Sequence, residues 1–184
     1  MKLAKLLETR WSPRAFDDFS INIDEAELLF EAARWAPSSM NEQPWNYLYA
    51  LKEDSEYFNK FIECLMPGNQ VWAGNASMLI LSTTKKQFDY KGRKNRHAMH
   101  DAGAANVSLC LQANAMGYQA HQMGGFDPDK TYDTFNIDRD QYELATFIAI
   151  SKPGDPSSLP EDLRESELKP RQRKKLNEIV KRIK

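Results

Sequence analysis

The chain has 184 residues, 41% hydrophobic and 28% charged, which suits one globular domain with a sizeable core, and a second domain is not needed. A formal net charge of −1 gives no general attraction to polyanions or anionic membranes, and Cys64 and Cys110, far apart, argue against a disulfide framework or a thiolate metal site. With no signal-like leader and no apolar run long enough to span a bilayer, a soluble cytoplasmic protein without a membrane partner is expected.

From Lys2 to Glu8, Leu3, Leu6 and Leu7 stand at helical spacing, so a short amphipathic helix is expected. Pro13 has no amide hydrogen and drives Ser12 out of helical angles, which makes Arg10 to Arg14 extended. Alternate side chains of an extended segment share a face, so Arg10, Ser12 and Arg14 would stand together, ready for an anion, with Trp11 opposite. Asp24 and Glu27 read as a capping box for a helix that ends near Trp35 and buries Ala26, Leu28, Leu29, Ala32 and Ala33. Pro37 closes that helix. The following PSSMNEQPW is polar and holds two prolines, and it reads as an ordered loop before the strand WNYLYAL.

A helix over Asp54 to Leu65, a loop over Met66 to Gly74 and a buried strand over Ser77 to Ser82 follow. The longest helix, His97 to Met116, is small or apolar on most sides and stops at Gly117, which places it centrally or in a subunit interface. A strand near Tyr118 to Gln122 leads to Gly124-Gly125. Asp127-Pro128 then caps and starts another helix, and Ala145 to Ser151 is a buried strand. Beyond Lys152 the chain turns rich in proline, serine and charge and reads as an arm ending in a basic helix over Lys174 to Ile183. From Lys169 to Lys184 eight basic residues face one acid, so this tail carries +7 and the remainder about −8. Such a tail is either a solvated face or one recruited to an anion.

No GxGxxG, GxxxxGK[ST] or GxSxG is present, so dinucleotide binding of the Rossmann type, P-loop phosphoryl transfer and α/β-hydrolase chemistry lack their local signatures. His97 and His100 lie three apart beside Asp101 in a small-residue helix, which suits packing better than zinc, and no metal is expected.

Six segments occur in order: TRWSPRAF, ARWAPSSMNEQPWNY, GNQVW, HDAGAANVSLCLQANAMGY, MGGF and RQRKKLNEIV. Together they span nearly the whole chain, which thereby resembles FMN-dependent nitroreductases. The resemblance implies an α+β nitroreductase-like fold, a central mixed or antiparallel sheet flanked by helices, in an interlocked homodimer. The single domain would cover residues 1–184, with about 155–184 as an exchanged C-terminal arm embracing the partner.

The resemblance also implies FMN in a cleft made by both chains, with site residues carried over position by position. Arg10 and Ser12, flanking Trp11, would bind the phosphate, and Arg14 would lie at the pyrimidine edge of the ring. Pro37, Ser38, Ser39 and Asn41 would reach the partner's flavin, and Asn69 would face the ring. Met123, Gly124 and Gly125 would pass its reactive edge, where a glycine lets backbone approach closely; longer family members often carry an acid where Gly124 stands. Arg173 would grip the phosphate, with Arg171, two positions earlier on the same extended face, as a second cation.

The implied reaction is ping-pong transfer of an electron pair from NAD(P)H to a nitroaromatic, quinone or similar small acceptor, with no side chain needed as acid or base. Other readings stay open: a flavin carrier without turnover, or a reaction such as reductive dehalogenation on the same fold. A nucleic-acid partner is not expected, because the basic tail lacks interleaved aromatic residues. The choice between NADH and NADPH is not legible.

Overall fold

Two apolar strands, β2 (Met78–Lys85) and β4 (Tyr142–Ser151), pair at the middle of a four-stranded sheet, with β1 (Trp45–Leu51) and β3 (Gln119–Met123) at its edges in the order β1-β2-β4-β3. The computed structural model describes residues 2–183. Every strand pair is antiparallel, and Ile80 faces Ile148 and Leu81 faces Phe147 before the register slips between Ser82 and Thr83.

Both faces of the sheet are covered, and strand alternation decides which side chain goes where. Leu79, Leu81, Phe147 and Ala149 point into one core, with Phe58 and Phe61 of α3 (Ser55–Cys64) and Trp72 of α4 (Pro67–Ala73). Met78, Ile80, Ile148 and Ile150 point into the other, against Ala26 and Leu29 of α2 (Ile23–Arg34) and Ala105 and Leu109 of α5 (Ala98–Ala115). The remaining helices are α1 (Lys5–Thr9), α6 (Pro128–Thr134), α7 (Glu161–Leu168) and α8 (Leu176–Ile179).

Several expectations need correction. The capping box of α2 is Asn22 with Glu25, not Asp24 with Glu27: the Asn22 side chain accepts from the Glu25 amide, and the Glu25 carboxylate from the Asn22 amide. The buried Ile21 lies just before this cap and the buried Ala26 four residues after it, a hydrophobic staple that fixes the helix start. Leu28, expected in the buried stripe, is exposed, as are Leu3, Leu6 and Leu7 of the first helix.

The segment Met66 to Gly74 is not a loop. Pro67 occupies the first position of α4, where its missing amide costs nothing, and burial of Trp72 and Ala73 overrides the weak helix preference of Gly68 and Asn69. The expected basic helix over Lys174 to Ile183 is a single turn with no buried residue, since a wholly solvated helix has nothing to stabilise it. Instead α7 forms further upstream.

Residues 10–17 form a strap along the outside of β3. The Trp11 amide donates to the Gln119 side chain (2.8 Å), and His121 donates from Nδ1 to the Pro13 carbonyl (2.9 Å). The far end of the strap is bridged to the segment after β4, with the Asp17 amide on the Lys152 carbonyl (3.0 Å) and the Gly154 amide on that of Ala15 (2.9 Å).

Candidate active site

The extended backbone imposed by Pro13 brings Arg10 and Ser12 to one face, and Arg10 Nη1 donates to Ser12 Oγ at 3.1 Å. Both line a cavity of about 280 Å³ between α1, α5 and β3, whose walls include Leu7, Cys110, Ala120 and Gln122. Burial pushes the Cys110 thiol above its ordinary pKa, so it stays a neutral wall beside the Arg10 cation.

Arg14 does not line this cavity. It turns to α7, where its amide donates to Glu167 Oε1 (2.9 Å) and its guanidinium lies 3.8 Å from Oε2. Glu167 also accepts from the Ala15 amide (3.4 Å), so a buried carboxylate of α7 holds the middle of the strap. No sequence signal marks Glu167, which sits in a run of ordinary acids.

The two tail arginines part company. Arg171 Nη1 donates to the Arg10 carbonyl at 2.6 Å, its other nitrogen donates to the Glu8 carbonyl, and its guanidinium stacks 5.2 Å from the centre of the Trp11 ring. Arg173 is exposed and donates to the neighbouring Gln172 carbonyl (2.7 Å), so within one chain Arg171 joins Arg10 and Trp11 while Arg173 does not.

At the end of β3 the Met123 side chain is buried, and its carbonyl accepts from Thr146 Oγ1 (2.8 Å). The Gly125 carbonyl accepts from the Met66 amide (3.0 Å) and from Asn69 Nδ2 (2.9 Å), so α4 is the element that delivers Asn69 to the glycine pair. A β-carbon on Gly125 would stand 2.8 Å from Asn69 Nδ2, whereas one on Gly124 would meet nothing within 4 Å. Gly124 therefore presents bare backbone to open space.

Pro37, Ser38 and Ser39 lie elsewhere, in a cavity of about 240 Å³ shared with His97, His100 and Asp101 at the start of α5. The buried Asp101 accepts from the Ser39 amide (2.9 Å) and lies against His100 Nδ1 (3.1 Å). Ser38 Oγ accepts from the Gln43 amide (2.9 Å). Met40, Asn41 and Gln43 all have positive φ, at 56°, 55° and 51°, a concentration of left-handed backbone that ordinary side chains hold only where surroundings impose it. Asp101 and Cys110 are nine residues apart on α5, or about 13 Å along its axis. One chain thus keeps the 37–41 loop and the Arg10 cavity at different ends of the same helix.

Among the described residues no three His, Cys, Asp or Glu side chains gather as metal ligands, and no helix is long and apolar enough to cross a membrane.

A profile described as the nitroreductase family matches residues 7–152. The chain belongs to the nitroreductase family. Among related sequences, this family member is 26% identical to the CLA biosynthesis enone reductase of Lactiplantibacillus plantarum, over 82% of the present chain and 85% of that protein. It is 24% identical to the oxygen-insensitive NADPH nitroreductase of Helicobacter pylori strain 26695, over 82% and 87% of the two chains. Among solved structures, an oxidoreductase containing FMN superposes with a TM-score of 0.92 at 39% identity, over 98% of this chain and 91% of that one. These likenesses carry the α+β nitroreductase fold expected from the sequence.

Proposed function

We propose that this nitroreductase-family protein binds FMN between two copies of the chain and passes electron pairs from NAD(P)H to a small oxidised acceptor. The observation that carries the reading is the pairing of Arg10 with Ser12 on the wall of a cavity, with Arg171 fastened to the Arg10 carbonyl and stacked on Trp11 beside them. A phosphate dianion needs such a group of fixed cations and donors, and the neutral Cys110 thiol adds no opposing charge. The open backbone at Gly124 suits the other requirement, close approach of a flat ring to a peptide group.

When bound, FMN supplies the two-electron redox chemistry, so the protein's part is to bind, orient and admit reactants. Arg10, Ser12 and Arg171 would hold the phosphate, with Trp11 as the ring on which Arg171 stacks. Asn69 would fix the Gly124-Gly125 backbone, and Met123 would anchor the strand before it. Arg14, partly exposed beside Glu167, would keep a cation near the ring.

The loop carrying Pro37, Ser38, Ser39 and Asn41 would complete the site in the partner copy, since within one chain it stands at the other end of α5. Met99, Gly103 and Val107 leave an exposed small and apolar stripe on that helix, which suits close packing of two copies. The tail fits an arm that packs on the partner, since Leu176, Ile179, Val180 and Ile183 are all exposed, and Arg173 would join Arg171 at the phosphate once the tail is covered. Donor and acceptor would occupy the cleft in turn, as in ping-pong kinetics. Nitroaromatics, quinones and enones are the acceptor classes to test, the relatives' names being those of a nitroreductase and an enone reductase.

The experiment is a fluorescence titration with FMN and with riboflavin, which lacks the phosphate. Arg10→Ala should weaken FMN by about 1.5–3 kcal/mol and riboflavin much less, as for loss of a charged hydrogen bond. Equal losses for both flavins would remove the phosphate assignment.

A further inference from the structure

We infer that a cationic cavity under the hairpin of residues 86–97 binds the 2′-phosphorylated adenosine end of NADPH, which makes NADPH the preferred donor. This rests on the reading of the 37–41 loop as a wall of the partner's flavin site, because that loop is also a wall of this cavity.

Beyond β2 the chain turns back on itself: the Phe88 amide donates to the Arg93 carbonyl (2.8 Å), and the Asn95 amide to that of Lys86 (2.8 Å). Lys91 and Gly92, with φ of 62° and 56°, make the tip. The Asp89 amide donates to Glu42 Oε1 (2.6 Å), which ties the hairpin to the end of the 37–41 loop. Between them lies a cavity of about 540 Å³, within the range of small-molecule sites. Phe88, Tyr90, Arg93, Lys94, Arg96 and His97 line it on the hairpin side, and Ser39 and Met40 on the loop side.

The charge in this cavity is uncompensated. Among the described residues Arg93, Lys94 and Arg96 enter no ion pair, and Arg96 spends one donor on His97 (3.2 Å). The nearby acids are engaged elsewhere: Asp89 pairs with Lys85, and Glu42 accepts the Asp89 amide. Three like charges crowded around one cavity repel each other, and an anion relieves that repulsion. Arginine forks match phosphate oxygens in pairs, and the exposed Tyr90 ring, with the Lys91 amine 4.9 Å from its centre on one face, leaves the other face for a flat base. NADPH differs from NADH only by a phosphate monoester on the adenosine ribose. A cavity with three unpaired cations acts on that difference, and the wall it shares at Ser39 sets it beside the loop assigned to the partner's flavin site.

The test uses the FMN-loaded protein and two probes, adenosine 2′,5′-bisphosphate and AMP, in calorimetric titrations. The bisphosphate should bind at least about tenfold more tightly, and its advantage should shrink as salt is raised. Arg93→Ala and Arg96→Ala should each reduce bisphosphate affinity roughly ten- to hundredfold, with Arg93→Lys restoring part of it. In anaerobic stopped-flow the same alanine variants should narrow the ratio of flavin reduction rates with NADPH and NADH. Equal affinity for the two probes, or alanine variants that bind the bisphosphate normally, would overturn the assignment while leaving the flavin site untouched. A wild-type protein that binds the bisphosphate as expected, yet whose flavin is bleached by neither nucleotide, would keep the cavity's assignment and defeat the redox function instead.

Discussion

At Gly154 a methyl group would stand 2.5 Å from the Phe16 carbonyl carbon and 2.7 Å from the Asp17 nitrogen, backbone atoms at the bridge between the strap and the segment after β4, where the Asp17 amide donates to the Lys152 carbonyl. Gly154→Ala should therefore cost about 3 kcal/mol in urea unfolding, at the upper end for overpacking. At Gly125 the obstacle is only the tip of the Asn69 side chain, which can swing away, so Gly125→Ala should cost about 1 kcal/mol, the worth of one hydrogen bond.

His121 makes a pH-dependent claim. Burial, the main cause, lowers its pKa from 6.5, and its Nδ1–H is committed to the Pro13 carbonyl while its ring packs 4.6 Å from that of Trp72. The folded imidazole stays neutral where the unfolded one gains a proton. Its contribution is thus complete above about pH 6.5 and is lost as pH falls toward the lowered folded value, at no more than about 1.4 kcal/mol per pH unit. His121→Gln should flatten that part of the stability profile, measured by urea unfolding between pH 7.5 and 5. An unchanged acid limb would show that His121 is not the group responsible.

Among the elements, α5 was the most legible, because a long run of small and apolar residues between His97 and Gly117 fits no surface helix. Its exposed Met99, Gly103 and Val107 are the side that a second copy would cover in the proposed dimer. Val107→Asp should place a charge in that interface and yield monomers by light scattering, with loss of bound FMN. The strap was legible in part, since Pro13 dictates its extended backbone and alternation groups Arg10 with Ser12, but Arg14, expected on the same face, turns to Glu167 of α7. Helix α4 was not, because Gly68 and Asn69 weigh against a helix that burial of Trp72 enforces. Two overlapping capping patterns start α2, and only the packing of Ile21 chooses between them. Arg171 and Arg173 are equivalent by alternation, and only the carbonyls of Glu8 and Arg10 distinguish them. Glu167 was invisible because what matters about it is the strap that folds over it from more than 150 residues away.

Over the whole molecule, charge is unevenly placed in a chain of net −1: a +7 tail, a hairpin cavity of unpaired cations, and an acidic remainder. On the proposed reading Arg171 would meet the FMN phosphate, and Arg93 and Arg96 the 2′-phosphate of NADPH. The 37–41 loop and the Arg10 cavity lie toward opposite ends of α5, so if both belong to one flavin site the protein should be a dimer with two FMN, with no FMN-loaded monomer. Electron transfer through bound FMN is tested by an anaerobic absorbance titration of the FMN-loaded protein with NADPH, followed by a nitroaromatic or quinone. The yellow colour should bleach with one nucleotide per flavin and return when the acceptor is added. A flavin that stays oxidised with both NADPH and NADH would contradict it.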